Sequence, residues 1–325
     1  MEKRVLSGMR PTGRLHLGHL VGVLSNWKRL QDEAECLYMV ADWHALTSDY
    51  ENPSNLLENI HEMVLDWLSV GIDTERCILF RQSEVKEHAE LHLLLSNITP
   101  LGWLERNPTY KEQLAELGES RLSTYGFLGY PVLQSADILV YKANLVPIGK
   151  DQQPHLDLTR DIAARFNYFY GEVFPMPEPL LTPTSKLPGI DGRKMSKSYD
   201  NCVYLCDPPD KIATKVKAMF TDPLKIRKDD PGHPEGCVVF AFHKAFDSEG
   251  ADVMEPLCRE GKIGCVAHKE TVAQILIKVM EPIRRRRSEF EGSIEVVHSI
   301  FEEGSKRAQE VASQTMEEVR GAMKI

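Results

Sequence analysis

The sequence predicts an α/β protein, with a doubly wound parallel-sheet domain over residues 1–205 and an α-helical C-terminal domain over residues 206–325. Three observations carry that prediction. Short apolar runs alternate with amphipathic stretches along the first part of the chain, the order in which strands and their crossover helices follow one another. Charge bounds the apolar run at 36–41 on both sides, as suits a strand buried on both faces of a parallel sheet. Past Pro208 the apolar positions recur mainly at helical spacing.

Each element has its own signal. Residues 3–6 read as the first strand and run into 7–13, where two glycines and a proline make a loop. A helix begins near His19, because Leu20, Val23, Leu24, Trp27 and Leu30 stand three and four apart. Residues 36–41 form the second strand. An amphipathic helix over 56–70 stops at Gly71, a C-cap, and 77–80 form the third strand. Residues 84–95 are helical, and 145–148 are a further strand ending at Gly149. Prolines and glycines crowd 163–203, which reads as loops and a domain edge. In the C-terminal part 271–280 is the clearest helix. Residues 288–323 read as two amphipathic helices, the last a candidate for packing back on the first domain.

Composition narrows the function. With 325 residues, 42% hydrophobic and 27% charged, the chain can bury a large core and lies far from the disordered classes. A net charge of −9 means that any nucleic acid must meet a local basic surface, for which Arg284, Arg285, Arg286 and Arg287 are the candidate. The N-terminus lacks the apolar core of a signal peptide, and no apolar stretch approaches the roughly 18 residues of a membrane span, so a cytoplasmic protein without membrane attachment is expected. Seven cysteines, an odd count without regular pairing, read as core thiols or ligands in a reducing compartment.

Two segments carry chemistry. His16 and His19 flank Gly18 where the first strand's loop becomes a helix, the place at which a doubly wound sheet holds nucleotide phosphates against free backbone amides. Gly18 allows the nucleotide close to the backbone, and the imidazoles can donate to phosphate oxygens. Far along the chain, Lys194, Met195, Ser196, Lys197 and Ser198 come after the glycine-rich segment 188–192. Two ammonium groups and two hydroxyls on a loop suit a pyrophosphate leaving group. Taken singly, the histidines also serve as helix caps and the lysines as solvated surface.

Together, HLGH at 16–19 and KMSKS at 194–198 resemble the two signatures of class I aminoacyl-tRNA synthetases, in the right order and at a suitable interval. Between them, Gly149, Lys150, Asp151 and Gln152, with His155 and Arg160 beyond, resemble the ATP- and ribose-contacting turn of the family's tryptophan and tyrosine branch. The resemblance implies a Rossmann-like catalytic domain with His16, His19, Lys194 and Lys197 as catalytic residues. ATP, with Mg²⁺, would be bound by Arg10, Pro11, Thr12, Gly18, His19, Gly149, Lys150, Asp151, Gln152 and residues 194–198.

Gln134 and Asp137, three apart on a helix, can face one bound side chain. A buried carboxylate at Asp137 would accept from an indole N–H or a phenol and reject ligands lacking that donor. Gln134 leans toward the tyrosine pattern. Residues 7–13, 42–47 and 99–106 are similar to the tryptophan branch, so L-tryptophan is the expected substrate, bound by Asp137, Gln134, Tyr130 and His44. The reaction this implies is activation with ATP, release of pyrophosphate and transfer to tRNA(Trp). The tyrosine enzyme is the close alternative, and a small-molecule nucleotidyltransferase of the HxGH superfamily the more distant one. The resemblance further implies a homodimer and an anticodon-binding role for the C-terminal domain. Cys237, Cys258, Cys265 and His268 are similar in spacing to four cysteines that hold an iron–sulfur cluster in some tryptophan enzymes. A 4Fe–4S cluster, tetrahedral zinc and no metal at all stay open for this set.

Overall fold

Five parallel strands, β1 (Arg4–Met9), β2 (Glu35–Val40), β3 (Cys77–Arg81), β4 (Leu145–Ile148) and β5 (Glu178–Leu181), form one sheet in the order β3-β2-β1-β4-β5. The computed structural model describes residues 3–108, 110–111, 124–181 and 187–325. Val5 pairs with Cys36 on one side and Leu145 on the other, so β1 is central. Because side chains alternate across a strand, Val5, Tyr38 and Val40 enter one core cluster while Leu6, Leu37 and Met39 enter the other.

The helices are α1 (Leu17–His19), which passes through a π-turn at Leu20–Leu24 into α2 (Ser25–Leu30), then α3 (Asp42–Asp49), α4 (Leu56–Val70), α5 (Glu87–Ser96), α6 (Leu101–Glu105), α7 (Tyr125–Leu139) and α8 (Gln153–Tyr170). Beyond the sheet come α9 (Pro209–Ala218), α10 (Val238–Phe246), α11 (Ser248–Arg259), α12 (Cys265–Glu291) and α13 (Ile294–Met323). α4 ends at Gly71, whose φ of 100° is open to glycine at little cost. The C-terminal helices complete both clusters. Val272, Leu276 and Met280 of α12 share the cluster of Trp27 and Trp67, whereas Ala308, Ala312 and Met316 of α13 join Phe80 and Phe166. Ion pairs and hydrogen bonds tie α13 to α5: Arg320 to Glu90 at 2.6 Å and Ser313 to Glu87 at 2.7 Å.

Three sequence readings need correction. The loop reading of 163–203 misses the last turns of α8 and the whole of β5, while 182–186 within it lies outside the described residues. β5 is four residues long, contains Pro179 and pairs only with β4, so it has neither the length nor the apolar run of a central strand. The stretch 288–323 is the end of the 27-residue α12 and then the single 30-residue α13, the break falling at Gly292 and Ser293. β1 extends beyond residue 6 to Met9, because its glycine-containing end still pairs with β2 through Met9↔Val40. Among the described residues no helix is long and apolar enough to cross a membrane.

Candidate active site

β1 and β4 are neighbours whose crossovers lead to opposite sides of the sheet, so the switch point at which doubly wound sheets form their ligand crevice lies beyond Met9 and Ile148. The segment leaving β1 carries His16 at the start of α1. Its backbone N–H donates to His19 Nδ1 at 3.2 Å, and the two rings lie 3.8 Å apart. A Cβ on Gly18 would come within 2.9 Å of His16 Nδ1, so glycine is what lets this ring pack down on the turn. Burial, with Lys197 nearby, lowers the pKa of His16 to about 4. Burial, then the neighbouring His16 and Lys197, lower that of His19 to about 3. Both imidazoles are therefore neutral near pH 7 and act as hydrogen-bonding groups, not cations.

The second loop folds onto the first. Lys197 Nζ donates to the Thr12 carbonyl at 2.5 Å and to its hydroxyl at 3.0 Å. Met195 is buried and faces Gly18, and Ser196 and Ser198 share a hydrogen bond of 2.8 Å. Lys194 is exposed. Backbone pairing fixes the approach, since Leu17 N–H donates to Val203 and Leu205 N–H to Leu15, each at 2.9 Å. Sequence reading missed Asn201. It is almost fully buried, donates to Asp191 and the Lys194 carbonyl, and accepts from Ser196 N–H, so it shapes the lysine loop. Desolvation lowers Lys197 to about 8.

Arg10 faces α3, donating to Ser48 at 2.6 Å and Asp49 at 3.0 Å, and Pro11 is buried. On the other side of the crevice Gly149 leads from β4 into a turn over Lys150–Gln152, with Lys150 and Asp151 exposed at the start of α8. These are the sequence-predicted ATP residues, and they gather on the strand ends of β1 and β4 plus the lysine loop.

Of the predicted amino-acid residues, Asp137, His44 and Tyr130 are linked to one another. Asp137 is buried in α7, and its Oδ1 accepts from Gln82 Nε2 and pairs with His88 Nδ1, both at 2.7 Å. His88 Nε2 meets the Tyr141 hydroxyl at 2.7 Å, and Gln82 Oε1 accepts from His44 N–H at 3.1 Å. Tyr130 is buried edge-on to His44, with its hydroxyl 3.2 Å from His155 Nε2. Gln134 is half-buried one turn before Asp137. Burial lowers His44 to about 4, against the opposing pull of Asp137. Gln82 and His88 were missed from sequence, and His155, read there only beside the ATP-contacting turn, meets Tyr130 instead. The position of Gln82 and His88 just past the end of a strand was the available signal, because ligands gather there.

Two further predictions meet the structure differently. Cys237, Cys258, Cys265 and His268 line one small cavity in the C-terminal region. As placed they do not converge on a metal, and no group of three or more histidine, cysteine or acidic side chains does so among the described residues. The physical reason lies in His268, whose Nε2 is taken by His243 Nδ1 at 2.9 Å. The arginine run is likewise corrected as a basic surface. Arg287 is 4% exposed and ion-paired, Arg286 donates to the Ser69 and Val70 carbonyls, and Arg284 to that of Ile277. Arg285 alone among the four is strongly exposed.

A doubly wound sheet whose switch point carries two such loops is the architecture of a class I nucleotide-activating enzyme. The family tRNA synthetases class I (W and Y) matches residues 1–281, and the chain belongs to it. Within that family it stands among the tryptophan–tRNA ligases. It is 51% identical to the tryptophan–tRNA ligase of Thermotoga maritima over 99% of each chain. With that of Aquifex aeolicus identity is 46%, over 99% of this chain and all of the other. In three dimensions it resembles the tryptophanyl-tRNA synthetase of Campylobacter jejuni crystallised with ADP and tryptophan, with a TM-score of 0.88 at 30% identity, covering 99% of this chain and 100% of that one.

Proposed function

We propose that the chain activates L-tryptophan with ATP and transfers it to tRNA(Trp). The observation that carries this reading is the Lys197 ammonium resting on Thr12 at the mouth of the β1/β4 crevice, which brings both phosphate-binding loops to one place. Relatives at 41–51% identity are tryptophan–tRNA ligases, which favours tryptophan over the tyrosine alternative. The chemistry needs no nucleophilic side chain. The tryptophan carboxylate attacks the α-phosphorus of MgATP, pyrophosphate departs, and the terminal ribose hydroxyl of tRNA then takes the aminoacyl group. The protein's part is positioning and charge stabilisation.

In this reading His16 and His19 donate to the phosphates as neutral imidazoles, while Lys194 and Lys197 neutralise the leaving pyrophosphate. Asp137 turns Oδ2 to the indole N–H, Oδ1 being occupied, and Tyr130, His44 and Gln134 line the ring. Residues 206–325 serve the anticodon end of the tRNA, the enzyme is a cytoplasmic homodimer, and Arg285 is the member of the arginine run that reaches the tRNA backbone. Pyrophosphate exchange with each of the twenty amino acids tests the central claim. Exchange dependent on tryptophan is expected, exchange with tyrosine alone would reassign the substrate, and none would remove the activity.

A metal held by Cys237, Cys258, Cys265 and His268 is a second reading, carried by their shared cavity. Binding would require His268 to release His243, or the three thiols to act alone. No catalytic step passes through it. Iron, sulfide and zinc analysis of anaerobically purified protein decides: less than about a tenth of an equivalent of any metal removes this reading.

A further inference from the structure

Asp66 lies on α4, wholly buried, and is not among the residues read above as binding ATP or tryptophan. Its Oδ2 accepts from the backbone N–H of Leu15 at 2.6 Å, and its Oδ1 from Arg287 Nη1 at 2.5 Å. Arg287 comes from α12, 221 positions away in sequence, and is itself buried. It also pairs with Glu62 at 2.6 Å and Glu291 at 2.7 Å, and Glu62 in turn holds Arg14 at 2.9 Å. The bonded residue, Leu15, immediately precedes His16, and its carbonyl accepts from Leu205 beyond the lysine loop. Leu15 therefore joins α4, and through Asp66 α12, to the histidine turn and the extended segment beyond Lys197.

We propose that Asp66, clamped by Arg287, is a positioning residue for adenylate formation: it fixes the Leu15 amide and through it both phosphate-binding loops. A buried ion pair is a poor source of net stability, since desolvation offsets its attraction, yet it tolerates few alternative geometries. An arginine with three carboxylate partners is not needed to hold α12 on α4, because Val272, Leu276 and Met280 already pack there. What the pair adds is direction at the Leu15 N–H, which points at a carboxylate oxygen held in place from its other side. Asp66 also acts electrostatically on Lys197, favouring its charged form. The inference rests on the reading of His16, His19 and Lys197 as partners of the phosphate groups.

The test uses the full chain and tryptophan-dependent pyrophosphate exchange. Replacing the pair together, Asp66→Leu with Arg287→Met, removes both buried charges at once, while Glu62 keeps Arg14 and Glu291 is half-exposed. It is expected to fold with a melting temperature lowered by the buried Leu15 N–H left without an acceptor, and to lose about 100-fold in kcat, the scale of a misplacement of about 1 Å, with KM for tryptophan unchanged. Asp66→Asn keeps an acceptor for Leu15 and should retain kcat within about tenfold of wild type, a neutral acceptor being roughly half as strong as a charged one. A folded double variant with wild-type kcat overturns the proposal, as does an Asp66→Asn enzyme no better than the double variant. Should the double variant not fold, Arg287→Lys, which keeps the charge but loses the fork, must lower kcat at constant tryptophan KM; unchanged kcat overturns the proposal. His19→Ala is the control, because normal exchange in that variant refutes the phosphate-loop reading itself.

Discussion

Lys197 bridges 185 positions of sequence to donate to both the carbonyl and the hydroxyl oxygen of Thr12. The ammonium is thus already at the entrance to the crevice, resting on neutral oxygens that a polyphosphate outcompetes. Lys197→Ala is expected to lower kcat for tryptophan-dependent exchange by about 100- to 1,000-fold, the usual cost of removing one preorganised charge-stabilising donor. Tryptophan binding, measured by equilibrium dialysis, should stay within about twofold, since Asp137 and its partners lie on α7, α5 and the turn after β3 rather than on this loop. A comparable loss of tryptophan affinity would contradict the assignment of Lys197 to the phosphates.

The same lysine sets a pH dependence. Desolvation lowers its pKa to about 8, so the free enzyme loses the charge as pH rises through that value. kcat/KM for ATP, which reports free-enzyme ionisations, should fall about tenfold per pH unit above 8, the slope of a single deprotonation. Lys197→Arg should flatten this limb, because a guanidinium stays charged. His16 and His19, held near 4 and 3, are neutral throughout and add no acid limb between pH 6 and 8. A profile level from pH 7 to 9.5 would show that Lys197 is not required in its charged form.

Asp137 predicts the selectivity. Its Oδ1 is occupied by Gln82 and His88, and removing the carboxylate strands both groups in a buried site and, in the proposed reading, deprives the indole N–H of its acceptor. Asp137→Ala is expected to reduce kcat/KM for tryptophan by about 10- to 100-fold, a hydrogen bond to a charged group being lost, while KM for ATP changes little. An equal rise in both KM values would point to a collapsed fold instead.

How much of the fold and the site could be read from the chain depended on whether a residue's partner is local. The strand at 145–148 and the helix at 56–70 were legible to the residue, because an apolar run and a glycine stop are properties of neighbouring positions. The end of α8 was not, since Tyr168 and Phe169 put large rings in solvent where a helical pattern calls for polar ones. The loops carrying His16–His19 and Lys194–Ser198 were visible as motifs. Asn201, Gln82, His88 and Asp66 were not, because each takes its role from a hydrogen-bond partner that only folding brings near. The arginine run shows the reverse error. Four identical neighbours on a helix point four ways, so a charge count at 284–287 says nothing about which of them meets solvent.

Gly304 offers a test of the C-terminal packing that leaves the chemistry aside. It sits in α13 where the helix crosses the edge strand β3, and a Cβ there would fall on the backbone carbonyl of Leu79. Backbone cannot move aside as a flexible side chain does, so Gly304→Ala must lift the helix from the strand. The gain in helix propensity from alanine, about 1 kcal/mol, works against this. Overpacking of this kind typically costs about 1–3 kcal/mol, and lifting α13 would also loosen Ala308 and Ala312 from the core they share with Phe80. The variant should therefore unfold at lower urea concentration, and Gly304→Val, bulkier and β-branched, at lower still. Exchange activity of the folded enzyme should be nearly unchanged, because the clash is with Leu79 in the middle of β3, while Gln82, which reaches Asp137, lies beyond the strand's end. If Gly304→Ala raised the urea midpoint, the close approach of α13 to Leu79 would not exist in solution.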